Sequence, residues 1–82
     1  MIEIQYFGKI REAVQCELER IDWHGADTDA LLEHLRGRGE PWASALAQNQ
    51  VYKIALNHQL LHSAQAIPDG AHVGILPPVT GG

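Results

Sequence analysis

The sequence predicts a single α+β domain in which a mixed β-sheet carries its helices on one face. Three observations support this fold class: strand-like alternation near both ends of the chain, a helical leucine stripe between them, and a Pro-Asp-Gly turn at residues 68–70. With 82 residues, 45% of them apolar and 20% charged, the chain has the length and composition of one ordinary globular domain.

The first predicted strand is the stretch MIEIQYF, in which apolar residues alternate with polar ones. After a polar loop, KIRE, the stretch AVQCELERIDW alternates in the same way and predicts a second strand through Val14, Cys16 and Leu18. Two alternating stretches joined by a short loop predict a β-hairpin.

The stretch GADTDALLEHLRGRG changes from strand-like to helical periodicity. Asp27 or Thr28 is expected to cap the helix, Leu31, Leu32 and Leu35 form its apolar stripe, and the glycines of GRG end it. A second, shorter helix is predicted from EPWASALAQN, because its proline suits the first helical position.

The remaining elements are strands, predicted from QVYKIALNH, from the short edge segment QLLHSAQ and from AHVGILPP. Pro77 and Pro78 end the last strand because proline has no amide hydrogen to donate. This order of strands and helices predicts the β-grasp, or ubiquitin-like, fold. We expect a β-grasp domain over residues 1–76 and a flexible C-terminal tail over 77–82.

Composition argues against several classes of function. The net charge is −4 and the six Lys and Arg residues are scattered, so no nucleic-acid partner is expected. The sequence shows no signal peptide or spanning segment, so we expect a cytoplasmic protein without a membrane partner. A lone cysteine, Cys16, forms no internal disulfide, which agrees with a reducing compartment.

Two patterns in the body of the domain resemble chemical sites. In HQLLH, His58 and His62 have a zinc-like spacing, but a glutamine stands at the glutamate position and the segment is strand-like, so no metal site is expected. The two histidines are interpreted as solvent-side residues flanking a turn. Cys16 is interpreted as a small buried apolar residue rather than a nucleophile, because neighbouring glutamates raise a thiol pKa.

The terminal stretch PPVTGG is more informative than either pattern. Gly81 and Gly82 place a bare backbone and its α-carboxylate at the tip, where they are able to enter a channel too narrow for a side chain. The carboxylate becomes reactive once it is adenylated. The residues alone leave open the alternative that this segment is only a frayed end.

Several stretches together resemble one family, the small subunit of molybdopterin synthase, a group of ubiquitin-like sulfur carriers. The resemblance runs nearly end to end, through YFGKIRE, TDALLEHL, PWASAL, ALN and the DG of the turn to PPVTGG. A terminal Gly-Gly is shared with ubiquitin, its modifiers and the thiamine-pathway sulfur carrier, whereas PPVTGG in a chain of this length resembles the molybdopterin branch in particular.

The resemblance implies a cycle in which the chain acts as a sulfur donor and is inactive alone. A ubiquitin-activator-like enzyme uses ATP to adenylate Gly82, a sulfur donor converts the adenylate to a thiocarboxylate, and the sulfur passes to a pterin precursor to form the dithiolene of molybdopterin. The chain itself holds no cofactor. The tail that enters the large synthase subunit, within a heterotetramer, comprises Pro77, Pro78, Val79, Thr80, Gly81 and Gly82.

The resemblance also implies partner contacts. Phe7, Leu60 and Leu76 fall where apolar residues face the partner subunit, and Arg11 falls where a charged contact is expected. The chain departs from the family at Ala71 and His72, where acidic residues are common, so the surface that docks the activating enzyme is expected to differ. The alternatives are a carrier for another pathway, such as thiamine synthesis, and a ubiquitin-like protein modifier.

Overall fold

The computed structural model describes residues 1–78, so the predicted tail positions Val79, Thr80, Gly81 and Gly82 lie outside the described residues. Over residues 1–78 the chain forms five strands and three helices. In chain order these are β1 (Ile2–Tyr6), α1 (Gly8–Val14), β2 (Leu18–Ile21), α2 (Thr28–Arg36), α3 (Trp42–Ala45), β3 (Lys53–Leu56), β4 (Gln59–Leu60) and β5 (His72–Leu76).

The strands form one mixed sheet in the order β2-β1-β5-β3-β4. β1 and β5 lie side by side at the centre and run parallel, whereas the pairs β1 with β2, β3 with β5 and β3 with β4 are antiparallel. The first and last strands of the chain are therefore neighbours. This is the mixed sheet that the sequence predicts, with β4 as the short edge strand.

The core lies between the sheet and the helices. Ile4 of β1 and Val73 and Ile75 of β5 are fully buried, in the same apolar cluster as Leu31 and Leu35 of α2. The leucine stripe predicted for the main helix therefore faces the sheet. Burial of these side chains is the main favourable contribution to folding in a domain of this size.

The main helix begins as predicted. The Asp27 side chain caps α2, because its Oδ1 accepts a hydrogen bond of 2.9 Å from the Ala30 backbone N–H. The second predicted helix is also present, as the four residues of α3, but Pro41 takes its N-cap position rather than the first helical position that was predicted.

The predicted second strand is wrong in its first half. The stretch GKIREAV, which contains the predicted loop KIRE, forms α1, and Val14 ends that helix. Ile10 and Val14 are both buried, and residues four apart lie on the same face of a helix. This spacing competes with the alternation of Val14, Cys16 and Leu18, and the strand begins only at Leu18. The predicted hairpin partner is correct, since β2 pairs antiparallel with β1.

A charged network connects the sheet to the segment after α2. The buried Tyr6 donates its hydroxyl hydrogen to Glu19 Oε2 at 2.7 Å, and Arg38 donates to both oxygens of Glu19 at 2.9 and 3.0 Å. Arg38 also lies over the ring of Trp42 of α3, 4.6 Å from its centroid. Burial opposes ionisation of Glu19, but the hydrogen bonds from Arg38 and Tyr6 hold the pKa of this carboxyl below its ordinary value.

The turn between β3 and β4 consists of two residues with positive φ, Asn57 at 48° and His58 at 71°. Positive φ at both central positions is typical of the type I′ turn, whose twist matches that of a β-hairpin. The turn therefore fixes the position of His58 at the edge of the sheet.

Candidate functional site: an apolar patch beside the C-terminal strand

The candidate site lies on the face of the sheet opposite the helices. Side chains alternate across a strand, so residues between the core positions of β1 and β5 point to this second face. The register places Gln5 beside Gly74 in β5, and places Ala55 of β3 on the other side of Gly74. Leu60 of β4 is paired with Ala55 and extends the same surface to the edge.

These residues surround a shallow depression of about 270 Å³. We call its apolar members, Phe7, Ala55, Leu60, Gly74 and Leu76, the apolar patch. The depression is lined by Gln5, Phe7, Lys53, Ala55, His58, Leu60, His72, Gly74, Leu76 and Pro77. Its mostly apolar surface and its position over the two central strands make it suitable for burial against a partner protein.

Gly74 forms the floor of the patch. A Cβ added at this position would lie 3.4 Å from Phe7 Cε2 and 3.5 Å from Leu76 Cδ1, at ordinary van der Waals contact, so the glycine leaves the space between these two side chains open. Leu60 is 53% exposed at the rim, whereas Phe7 and Leu76 are half-buried. The patch is therefore a concave surface with one prominent leucine.

The structure brings together three of the four residues expected to contact partners. Phe7, Leu60 and Leu76 all line the depression. Arg11 does not, because α1 packs on the opposite, helix-covered side of the sheet. The Arg11 side chain is exposed and forms an ion pair with Glu17, with Nη1 3.2 Å from Oε1. A charged contact through Arg11 would therefore use a different surface from the patch.

The base of the tail lies at the edge of the patch. β5 ends at Leu76, and the next residue, Pro77, lines this depression. Pro77 and Pro78 also line a second depression, of about 320 Å³, which is bordered by α1 and α3. Gly8 allows the proline to approach, since it has φ of +57° and a Cβ there would lie 2.8 Å from Pro77 Cγ. The chain therefore reaches Pro78 directly from the patch.

One end of the depression carries two histidines that sequence reasoning did not connect. We call His58 and His72 the basic rim, and both line the depression, whereas Lys53 is paired with Leu76 at its other end. The rings of His58 and His72 are stacked, with centroids 4.9 Å apart and planes inclined by 17°. His72 Nε2 also lies 3.0 Å from Gln5 Oε1. The two histidines are far apart in the sequence, and pairing of β3 with β5 brings them together.

The two departures from the family pattern have different surroundings. Ala71 is buried, and its carbonyl accepts a hydrogen bond of 3.0 Å from the Glu3 backbone N–H, so its position belongs to the core. His72 begins β5 and faces the patch. The departure at His72 therefore changes the charge of the candidate docking surface.

The other candidate groups have unremarkable environments. His62 is exposed, and no group of three or more His, Cys, Asp or Glu side chains in residues 1–78 is arranged to hold a metal ion. Cys16 is half-buried against the core rather than placed in β2, and burial followed by the nearby Glu19 charge raises the pKa of its thiol. None of the helices described between residues 1 and 78 has the length and apolar character needed to cross a membrane.

The comparisons with known proteins agree with this architecture. The chain is 30% identical over its full 82 residues to the full length of a molybdopterin synthase sulfur carrier subunit of Haemophilus influenzae. It is similar to a chain in the complex of subunits 1 and 2 of molybdopterin-converting factor from Helicobacter pylori, at 30% identity, with 99% of this chain and 97% of that chain covered and a TM-score of 0.67. The crystal structure of SAMP1 from Haloferax volcanii, at 22% identity and a TM-score of 0.74, covers 99% and 98% of the two chains and shows the shared fold.

The sheet order, the helices on one face and these neighbours define the chain as a ubiquitin-like β-grasp domain, which confirms the predicted fold class. The model of the ThiS family matches residues 4–82. The chain therefore belongs to the ThiS family.

Proposed function

We propose that this chain is the sulfur-carrier small subunit of a molybdopterin synthase and that Gly82 bears the sulfur. One observation carries the proposal: the full-length similarity to the Haemophilus influenzae carrier subunit extends through the terminal PPVTGG. The position of the patch beside Pro77 supports it, because a partner docked on the patch would receive the tail as it leaves β5.

The proposed chemistry takes place at the α-carboxylate. A carboxylate oxygen of Gly82 attacks the α-phosphorus of ATP on an activating enzyme, which releases pyrophosphate and leaves an acyl-adenylate. A sulfide-level nucleophile then attacks the acyl carbon, AMP leaves with the C–O electron pair, and a thiocarboxylate remains. The thiocarboxylate gives its sulfur to a pterin precursor for the dithiolene, and water restores the carboxylate. ATP is used by the activating enzyme, and this chain holds no cofactor of its own.

The apolar patch is proposed to bind the large subunit. The Helicobacter pylori relative is found in a complex of subunits 1 and 2, which supports a two-component assembly, and we propose a heterotetramer. The other described residues do not form a recognisable catalytic centre, so the large subunit supplies the site where the pterin reacts. Arg11 remains a predicted charged contact, on a surface separate from the patch.

Intact-protein mass spectrometry tests the proposal most directly. The chain is incubated with its activating enzyme, ATP and a sulfur donor, and the expected result is a mass gain equal to exchange of one oxygen for sulfur, localised to the terminal peptide. Adding one alanine after Gly82 is the matched control, because it leaves residues 1–78 unchanged and moves the carboxylate. The proposal is wrong if the wild-type chain gains no sulfur while the same enzyme activates another carrier, or if the extended variant still supports molybdopterin synthesis.

Two further functions share the same tail chemistry. A carrier for another pathway, such as thiamine synthesis, predicts rescue of a thiamine mutant rather than a molybdopterin mutant. A protein modifier predicts conjugates of higher mass that resist reducing agents, because Gly82 would form an amide with a lysine. The similarity to molybdopterin synthase subunits favours the first proposal over both.

A further inference from the structure

We infer that the large subunit holds this chain on both sides of the tail, at the apolar patch and at the second depression, where it inserts an apolar segment. The second depression is the one bordered by α1 and α3, and we call it the helix-side depression. The inference rests on the proposed function, because it concerns the partner assigned there. It adds a second contact surface, on the helix-covered side of the sheet.

The helix-side depression is mostly apolar and includes a highly exposed valine. Its lining includes Ile10, Ala13, Ala45 and Val51. Val51, in the segment before β3, is 68% exposed, which is the highest value among the large apolar residues described in 1–78. Isolated apolar side chains are common on protein surfaces, but an exposed one in an apolar hollow enlarges a continuous surface that a partner can cover.

Covering this depression leaves few polar groups without a partner. Lys9 is the single charged residue among the described residues that line it, and Lys9 is exposed. The Ser44 hydroxyl already donates to Glu40 Oε2 at 2.7 Å. The lining also contains prolines, including Pro41, which have no amide hydrogen to leave unpaired. An apolar segment is therefore the partner chemistry that fits the depression.

The base of the tail joins the helix-side depression to the apolar patch. Pro77 lines both depressions, and Pro78 lines the helix-side one. The start of α1 accommodates the Pro77 ring because Gly8 has no side chain, and an added Cβ would lie 2.8 Å from Pro77 Cγ. Leu60 lines the first depression and Val51 lines the second, so each of the two surfaces beside Pro77 has an exposed apolar side chain.

This position of the tail identifies the large subunit as the occupant. A partner that receives a chain end in a narrow channel has to enclose the segment that leads into the channel, so its channel mouth meets the chain on more than one side. The patch is one surface beside Pro77, and the helix-side depression is another. A subunit that sits on the patch and encloses the tail therefore extends over the helix-side depression, where apolar contact excludes water.

The test is the affinity of the purified chain for its large subunit, measured by titration calorimetry at physiological ionic strength. Val51→Asp and Ala13→Glu each place a carboxylate in the helix-side depression, at exposed positions outside the core cluster. We expect each variant to bind on the order of tenfold more weakly, because the interface would bury an unpaired charge. Ala26→Asp is the matched control, since it adds the same charge at an exposed position that lines neither depression, and it should bind within about twofold of wild type.

Circular dichroism establishes that the variants are folded, and one folded variant is enough for the test because Ala13 and Val51 belong to different segments. Leu60→Ala measures the patch in the same assay. An affinity within about twofold of wild type for either folded variant would overturn the inference, and the proposed function would stand if Leu60→Ala still weakened binding. Absence of binding by the wild-type chain would contradict both.

Two further measurements examine the other occupants of the helix-side depression. Sedimentation of the chain alone reports association with a second copy, and the rate of adenylation reports the activating enzyme. A Val51→Asp variant that binds the large subunit normally but loses self-association or is adenylated slowly would overturn the inference and assign the depression to that other occupant.

Discussion

Tyr6→Phe removes a single hydroxyl from the network that joins the central strand to β2 and to the segment before α3. The phenyl ring stays in place, so the substitution leaves the core packed and adds no cavity contribution. Tyr6 is fully buried, and its hydroxyl hydrogen is donated to Glu19 Oε2 at 2.7 Å. The measured loss therefore reports the hydrogen bond to a carboxylate.

The expected loss is about 1.5 kcal/mol near neutral pH. Hydrogen bonds to charged groups contribute roughly 1.5 to 3 kcal/mol, and the lower end applies here because Glu19 keeps both hydrogen bonds from Arg38. A domain of 82 residues has a total stability of roughly 4 to 12 kcal/mol. A loss of about 1.5 kcal/mol should lower the melting temperature by roughly 6 to 12 °C.

The loss should also depend on pH, with a definite sign. The pKa of Glu19 is below its ordinary value in the folded protein, so its ionisation stabilises the fold above the unfolded pKa, about 4.3. That stabilisation disappears as the pH falls through the lowered folded value. Tyr6→Phe removes one cause of the lowering. The difference between variant and wild type should therefore be largest near neutral pH and shrink below about pH 4.

Urea unfolding followed by circular dichroism, over about pH 3 to 7, measures both effects. Glu19→Gln is the control, because it removes the titrating group and should make a following Tyr6→Phe substitution nearly independent of pH. A loss below about 0.5 kcal/mol at neutral pH, or a loss of the same size at acid pH, would refute the assignment of this network.

Three other predictions follow from the packing. Leu35→Ala should lower the free energy of unfolding, measured with urea, by about 2 to 5 kcal/mol, because this side chain of α2 is fully buried. A loss under about 1 kcal/mol would mean that Leu35 does not pack in the core as described. Leu60→Ala should weaken association with the large subunit on the order of tenfold. Leu18→Ala is the control and should not weaken it, although the two leucines are similarly exposed, at 53% and 50%. Equal effects of the two substitutions would show that the patch is not part of the interface. Cys16 should react with iodoacetamide more slowly than free cysteine near pH 7, because burial and the charge of Glu19 raise the pKa of its thiol. Unfolding in urea removes both causes and should increase the rate, so a rate that urea leaves unchanged would contradict this prediction.

Elements whose apolar residues recur with one clear period, either that of a strand or that of a helix, were predictable from the sequence. The alternation of β1 and the leucine stripe of α2 each agree with one structure only, and the observed bounds follow them. The helix α1 was not predicted, because only two of its seven residues, Ile10 and Val14, are buried and spaced as on one helical face. Val14 also begins a run of alternating apolar and polar residues, which is typical of a strand. In so short a segment two periods fit equally well, and packing on the core decides between them.

The candidate site was predictable in part. Phe7, Leu60 and Leu76 came from the family resemblance, and their meeting in one depression depends on the register of three strand pairs. The basic rim was missed because HQLLH was considered as a local motif, which joins His58 to His62, whereas the fold joins His58 to His72. The available signal was positional: His72 alternates with the core residues of β5, so it had to face the other side of the sheet.

The parallel pairing of β1 with β5 places the proposed docking surface beside the start of the C-terminal tail. Because these central strands run in the same direction, Phe7 at the end of β1 lies beside the end of β5, and the Phe7 backbone N–H donates to the Ile75 carbonyl at 3.1 Å. The chain then continues through Leu76 into Pro77, at the edge of the patch. A partner that covers the patch is therefore held against the point from which the tail emerges. Binding to the apolar residues would orient the sulfur-bearing end as well as contribute affinity, so substitutions in the patch should impair transfer of sulfur through loss of orientation even where excess partner restores binding.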